Sequence, residues 1–375
     1  MIPSPASQQN SSIRPTSILR RHWRWGVKLA ITLAFVWLVA AGADWKDIFQ
    51  RLAGANVWLL FLAVICMAIA IAIAGVRWSM IARGIGATLP AGAAVRLVFI
   101  GVFFGQVLPA TVGGDVVRGW LAVKRGLSMQ IAAGSIFLDR LSGLLGLAAT
   151  ILVGLPFLVA HLPSGLVIAA GGAGVAVIML LVAVLNAHRI PYLANSGNRN
   201  VQKVMRWLGH CQATTSMRGF LAATLLSVLI QTFSVFAAVF IARALGLAID
   251  ALACLVVLPS AMLIAMLPIS VNGWGLREGA MVTGMTLLGF PRTEGLILSL
   301  LVGLATLVAS IPGGVMFFVG ESASGDRDEL AEVLNRAEES DSVEIYTEAA
   351  AFEEKAVAGR MAEHAASVPA DEGDH

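Results

Sequence analysis

Two segments of the chain repeat one pattern of proline, glycine and arginine. Five residues keep the same spacing in both, at a constant numbering offset of 159: Leu108-Pro109-x-x-Val112-x-Gly114-x-x-x-Arg118 and Leu267-Pro268-x-x-Val271-x-Gly273-x-x-x-Arg277. Leucine, valine and glycine are common here, but proline and arginine are infrequent among the apolar residues. Their recurrence at one spacing predicts an internal duplication.

An arginine beside a break in a helix is suited to binding an anion. Its guanidinium stays charged and can grip a phosphate with two parallel hydrogen bonds, and nearby glycines allow close backbone approach. Burying it unpaired in lipid costs at least about 2.5 kcal/mol. Arg118 and Arg277 are therefore expected to face each other across a ligand or to have acidic partners.

The candidate substrate-binding residues lie within or close to the two motifs. They are Gly113, Gly114, Asp115, Arg118, Asp139, Arg140, Asn272, Gly273, Arg277 and Glu278. A purely structural role as an ion-pair lock stays open for the charged members. Asn272 could contact a headgroup or satisfy a carbonyl group freed by Pro268, and the second interpretation is favoured.

The composition excludes most classes of soluble protein. Apolar residues make up 58% of the 375-residue chain and charged residues only 13%, against about 25% in a typical soluble domain. Basic residues form short clusters between long apolar runs, which is typical of membrane-protein loops and argues against nucleic acid as a partner. No His/Cys cluster or nucleotide-binding P-loop is present, so no metal, disulfide or cofactor is predicted.

Apolar runs predict an all-α polytopic membrane protein, since a spanning helix needs about 20 apolar residues. Six full spans are predicted at residues 27–43, 57–76, 141–160, 166–187, 220–241 and 295–319. The shorter stretches 93–108 and 251–267 each end in a Leu-Pro pair and predict re-entrant or broken helices.

Charge asymmetry predicts the orientation of the chain. Residues 1–26 form a basic leader, and further basic clusters around Arg77, Lys124 and residues 188–218 are assigned to the cytoplasm. Both termini are then cytoplasmic, and the two broken helices enter from opposite faces. The transmembrane domain, residues 27–320, is thus predicted to be an inverted repeat of halves 27–162 and 163–320, with its substrate site near the midplane.

Residues 321–375 hold 16 acidic and four basic residues and form a separate acidic tail. This composition predicts a mostly disordered cytoplasmic segment that could bind a partner. Tryptophans near span ends, including Trp58, Trp78 and Trp120, are predicted to be interfacial anchors.

The ordered motifs resemble a known family. They are Gly105-Gln106-Val107-Leu108-Pro109, Gly113-Gly114-Asp115-x-x-Arg118, Asp139-Arg140, Leu267-Pro268 and Gly273-x-Gly275-x-Arg277-Glu278. Over residues 27–320 the chain resembles the flippase-like membrane region of lysylphosphatidylglycerol synthases. The resemblance implies movement of a polar lipid between leaflets; the short tail leaves no room for the aminoacyl-transfer domain of the synthases. Trp274, at a position where glycine is common, departs from the pattern.

The leading hypothesis is a lipid flippase or transporter in a bacterial-type inner membrane, not an enzyme. Its substrate would be a phospholipid, an aminoacylated phospholipid or a polyprenyl-linked lipid. The alternatives are a membrane-embedded lipid-modifying transferase and an accessory scaffold for such an enzyme. Deleting residues 321–375 separates the scaffold from the transporter, since a transporter should survive it. A homo-oligomer and a lipid-modifying enzyme partner are both compatible with the sequence.

Overall fold

The computed structural model describes residues 45–107, 113–158, 164–186, 217–266 and 275–319, and all secondary structure in these ranges is helical. Ten helices are described: α1 Trp45–Ala53, α2 Val57–Gly84, α3 Ala91–Val107, α4 Gly113–Lys124, α5 Met129–Leu158, α6 Ser164–Asn186, α7 Met217–Ala244, α8 Ala251–Ala265, α9 Leu276–Leu287 and α10 Arg292–Phe318. The predicted all-α class is confirmed for these residues.

Four described helices, α2, α5, α7 and α10, are long and apolar enough to cross a membrane. Their outer sides expose large apolar side chains such as Phe61, Val153 and Leu225, which suits contact with lipid. The predicted span at 166–187 is a helix, α6, whereas the predicted first span, 27–43, lies outside the described residues. The exact six-plus-two arrangement therefore stays a prediction.

Two predicted span ends are wrong because charged side chains were taken as the limits of the apolar runs. Helix α2 continues past Arg77 to Gly84, and α5 begins at Met129, ten residues before Asp139. Both charged residues are buried inside the protein and paired with each other. A paired charge can lie within a long helix without ending it.

The two short apolar stretches form helices that do not reach spanning length. Helix α3 has 17 residues and α8 has 15. The Leu-Pro pairs that follow them lie outside the described residues. Each short helix is succeeded along the chain by a second short helix of 12 residues, α4 or α9.

Helix bounds recur along the chain. Helices α2 and α7 are equal in length, and the numbering offset between them is 160 at both ends. The starts of α3 and α8 have this same offset. Helices α4 and α9 agree at both bounds with an offset of 163, and α5 and α10 begin at that offset. The shift from 160 to 163 falls between the two short helices of each half.

The ends of corresponding helices have the same backbone geometry. After α2, Gly86 has φ 91° and its N–H donates to the backbone carbonyl of Arg83. After α7, Gly246 has φ 64° and its N–H donates to the backbone carbonyl of Arg243. Glycine adopts these positive φ values without strain, which makes it the common residue at this position. Gly126 and Gly289 end α4 and α9 in the same manner.

Helix packing follows the same correspondence. Helix α2 packs on α3, α3 on α4 and α4 on α5, as α7 packs on α8, α8 on α9 and α9 on α10. Between the halves, α2 packs on α7, and the contacts α3–α10 and α2–α10 have counterparts in α8–α5 and α7–α5. The two sets of four helices are thus related in both sequence order and packing. The predicted inversion across the membrane is a separate matter and stays a prediction.

Candidate functional site

Asp139 is the centre of a buried charge cluster in the first half, formed by α2–α5. Its Oδ1 accepts a 2.8 Å hydrogen bond from Arg77 Nε on α2. Its Oδ2 accepts bonds of 3.1 Å from both Nη atoms of Arg118 on α4. All three residues are buried. One carboxylate therefore links three helices, a geometry that fits the structural ion-pair interpretation.

Trp78 supports the Arg118 side chain from α2. The guanidinium carbon of Arg118 lies 4.9 Å from the centre of the indole ring, a cation–π contact. The indole N–H donates a 2.9 Å bond to Ser135 on α5. Trp78 is fully buried, so its prediction as an interfacial anchor is wrong. In the protein interior the Trp78 ring makes a cation–π contact with the buried Arg118 guanidinium.

Asp115 and Arg140 extend the cluster to its more exposed side. Asp115 Oδ2 accepts a 2.7 Å bond from Arg140 Nε, and Arg140 Nη2 is also 2.7 Å away. Asp115 Oδ1 lies 2.9 Å from Arg118 Nε, yet that N–H has no hydrogen-bonding partner because it is not aligned with an acceptor. The Arg140 side chain is 52% exposed, compared with 11% for Asp115.

The cluster also reaches the second half, α7–α10. Arg77 Nη1 donates a 2.8 Å bond to Ser227 on α7, and its guanidinium lies over Gly143 of α5. Helices α5 and α7 cross closely here, because a Cβ atom added to Gly146 would collide with Ser227. Small residues at this crossing therefore bring Ser227 within reach of Arg77.

The second half contains a smaller charged pair. Glu278 Oε1 accepts bonds of 3.0 and 2.6 Å from Arg277 Nε and Nη2, and its Oε2 accepts a 2.6 Å bond from the Gly275 N–H before α9. The Arg277 guanidinium lies against Gly303 of α10, where an added Cβ would be 2.5 Å from Nη2. Glu278 is buried, and 12% of the Arg277 side chain is exposed.

The helix bounds change the correspondence that the motifs suggest. At the offset of 163, Asp115 and Glu278 are both the third residue of their helix, whereas Arg118 is the sixth residue of α4 and Arg277 the second of α9. The motif offset of 159, which equated the two arginines, is therefore wrong for these helices. The Arg118 side chain contacts α2 and α5, whereas the Arg277 side chain contacts Gly303 of α10.

The glycines of the motifs have different positions. Gly113 is the buried first residue of α4. Gly114 contacts Gly101 of α3 so closely that a Cβ added to it would collide with the Gly101 carbonyl oxygen. Asn272 and Gly273 lie outside the described residues. The structure thus assigns Gly114 a packing role between α3 and α4.

Sequence reasoning missed Arg77, Trp78 and Ser227 as members of the cluster. Arg77 was counted among cytoplasmic bases because it follows an apolar run, and Ser227 lies alone in an apolar helix. The rarity of acids before the acidic tail, which indicated Asp139, was the usable signal, because a buried acid requires a basic partner. Among the described residues, no three His, Cys, Asp or Glu side chains are grouped to hold a metal.

Comparison with protein families gives a match over most of the chain. The family model described as "Lysylphosphatidylglycerol synthase TM region" matches residues 25–313. Comparison with curated proteins gave no match. The match includes all described residues that form the charge cluster and the Arg277–Glu278 pair.

Proposed function

This chain belongs to the lysylphosphatidylglycerol synthase transmembrane-region family, and we propose that it is a transporter that moves an anionic lipid between the leaflets of an inner membrane. The family and the apolar helices make it a multi-pass, membrane-embedded protein involved in lipid handling. In this proposal the lipid is moved without covalent change, and both chain termini are cytoplasmic.

The recurring helix bounds support an inverted-repeat architecture for this transporter. Helices α2–α5 and α7–α10 correspond in order and packing. Transporters built from inverted repeats bind substrate near the membrane midplane, where the repeats meet. We propose that the two sets of four helices have opposite orientations and that lipid passes between them.

The positions of the charged groups along the long helices agree with a midplane site. Arg140 is the twelfth residue of α5, and Gly303, which the Arg277 guanidinium contacts, is the twelfth residue of α10. Helices α5 and α10 have 30 and 27 residues, so at 1.5 Å per residue these positions lie about 5 and 3 Å from the middle of each helix. A helix centred in a hydrocarbon core about 30 Å thick would hold both positions well inside that core.

The observation that carries the proposal is the exposed arginine at the edge of the first-half cluster. Among the described residues, the contacts of this cluster join Arg77, Arg118 and Arg140 to Asp115 and Asp139. The Arg140 side chain is 52% exposed, whereas the other four are at most 11% exposed. An accessible guanidinium at a site inside a membrane favours an anionic ligand, and it binds phosphate with particular strength.

The test is leaflet exchange of labelled lipids by the purified protein in liposomes. Phosphatidylglycerol, its lysyl ester, phosphatidylcholine and a neutral glycolipid are compared under identical conditions. We expect phosphatidylglycerol, the anionic lipid of the set, to exchange faster than phosphatidylcholine and the neutral glycolipid. Arg140→Gln should slow that exchange about tenfold or more, since a hydrogen bond to a charged group contributes about 1.5–3 kcal/mol.

Arg292→Gln is the matched control, because it removes the same charge from an exposed position at the start of α10. It should exchange lipid at the wild-type rate. Equal rates for all headgroups with folded protein would contradict the proposal. A covalently altered lipid, detected by mass spectrometry in the same vesicles, would favour the transferase instead.

A further inference from the structure

One carboxylate–guanidinium pair is common to both halves, although its arginine comes from different helices. The carboxylates are Asp115 and Glu278, each the third residue of a corresponding short helix. In the first half the guanidinium belongs to Arg140, the twelfth residue of α5. The twelfth residue of α10 is Gly303, and the Arg277 guanidinium, reaching over from α9, occupies the space beside it.

The central part of the first-half cluster is replaced by apolar residues in the described helices of the second half. At corresponding positions of α7, α9 and α10, the residues Arg77, Trp78, Arg118 and Asp139 are replaced by Ala237, Ala238, Met281 and Val302. These four residues are fully buried. The second half therefore has apolar side chains at the positions where the first half has its central ion pairs. It retains the Arg277–Glu278 pair, on α9.

Stability alone gives little reason for keeping that pair. Apolar residues of similar volume usually stabilise a buried site as well as an ion pair does, or better, because both charges must be desolvated. The second half uses this apolar solution at the neighbouring positions. A pair that persists in both halves, with its arginine supplied from a different helix, is better explained by a ligand that requires the guanidinium.

The Glu278 carboxylate already shows how an anion would be held. It accepts hydrogen bonds from two nitrogens of Arg277 and from the Gly275 N–H at the start of a helix. A phosphate group can accept from the same three donors, since guanidinium groups and helix N-termini both bind phosphate. Asp115 likewise accepts from Arg140 in the first half.

We propose that each half contains one phosphate-binding position, in which a lipid phosphate displaces the acid from the guanidinium. The positions are Arg140 with Asp115 and Arg277 with Glu278. Without ligand the carboxylate serves as an internal counter-ion, so the guanidinium is not left uncompensated within the membrane. The inference rests on the proposed function only for the source of the phosphate, a lipid headgroup.

The test counts bound lipids by native mass spectrometry of the full chain in detergent. The probe is dihexanoyl phosphatidylglycerol, with dihexanoylglycerol as the phosphate-free control and inorganic phosphate as the lipid-free one. We expect two phosphatidylglycerol molecules per wild-type chain. Arg140→Gln and Arg277→Ala should each bind one, with the lost site weakened about 10- to 100-fold.

A second-site variant separates ligand binding from general damage. The three atoms nearest to a Cβ added at Gly303 all belong to the Arg277 guanidinium. Arg277→Ala combined with Gly303→Arg therefore delivers a guanidinium from α10, as the first half does from α5. Arg277→Ala alone leaves the buried Glu278 without its arginine and should lower the thermal midpoint. We expect the double variant to recover both the second phosphatidylglycerol and the midpoint.

Three results would overturn the inference: one lipid per wild-type chain, two lipids per folded Arg277→Ala chain, or equal binding of dihexanoylglycerol. Binding of inorganic phosphate as tight as that of the lipid would overturn the lipid source. Two phosphate positions in a protein that exchanges no lipid in vesicles would reject the transport function and leave this inference standing.

Discussion

The two halves of this protein reach similar helix packing with different interiors. In the first half, Asp139 joins Arg77 and Arg118 between three helices, beside the buried ring of Trp78. In the second half the corresponding interior is apolar, with Met281 and Val302 fully buried. Charge is thus not required for these helices to pack. The comparison distinguishes the central ion pairs of Asp139, which occur in the first half, from the carboxylate–guanidinium pair that both halves contain, Asp115–Arg140 and Glu278–Arg277.

The largest expected effect comes from removing the carboxylate at the centre of the first half. Asp139→Ala leaves the buried Arg77 guanidinium without its acid and leaves Arg118 with Asp115 alone. Losing one partner of a buried pair costs about 3–5 kcal/mol. Val302→Ala, the corresponding change in the second half, removes only two methyl groups and should cost less. Thermal unfolding in detergent measures both losses of stability. Equal midpoints for the two variants would show that the ion pairs of Asp139 stabilise the protein no more than the apolar contacts of Val302 do.

A smaller difference is expected at the helix crossings. A Cβ at Gly114 collides with backbone of α3, whereas a Cβ at Gly284 meets the Val257 side chain, 2.7 Å away. Overpacking against backbone cannot be relieved by a rotamer change, so Gly114→Ala should destabilise the protein by about 1–3 kcal/mol. Gly284→Ala should be milder. The reverse order of thermal midpoints would contradict this account of the two crossings.

The smallest expected effect concerns the support of Trp78. Ser135→Ala removes the acceptor of the indole N–H and should cost about 1 kcal/mol. Ser142→Ala is a suitable control, because Ser142 is equally buried on α5 and its hydroxyl donates to the backbone carbonyl of Asp139. If the control lowers the thermal midpoint as much, the tryptophan contact has no separate contribution.

The sequence was sufficient for the helical class and the short apolar helices, and it singled out Asp139 and Arg140, which the structure places in the charge cluster. These followed from hydropathy and from the rarity of acids among apolar residues. It was not sufficient for Arg77, because a base at the end of an apolar run looks the same whether it lies in a loop or is paired inside. Only the fold brings Arg77 to Asp139, 62 residues away along the chain.

The motif alone also did not give the numbering offset that relates the helices of the two halves. Matching proline, glycine and arginine gave an offset of 159, but the helices begin at offsets of 160 and 163. Extra residues between the short helices of the second half move Arg277 to the start of α9. The run Ile81-Ala82-Arg83, repeated as Ile241-Ala242-Arg243, contained the signal for the offset of 160, since both runs lie at the ends of corresponding helices.

In the proposed mechanism Arg277 acts on a lipid and does not merely hold α9 to α10. The decisive measurement is the rate of phosphatidylglycerol exchange between leaflets in liposomes containing equal amounts of folded wild-type or Arg277→Ala protein. We expect exchange to be lost in the variant at equal amounts of folded protein, although the variant unfolds at a lower temperature because Glu278 loses its buried partner. Exchange at the wild-type rate, or a loss that matches a loss of folded protein, would contradict it.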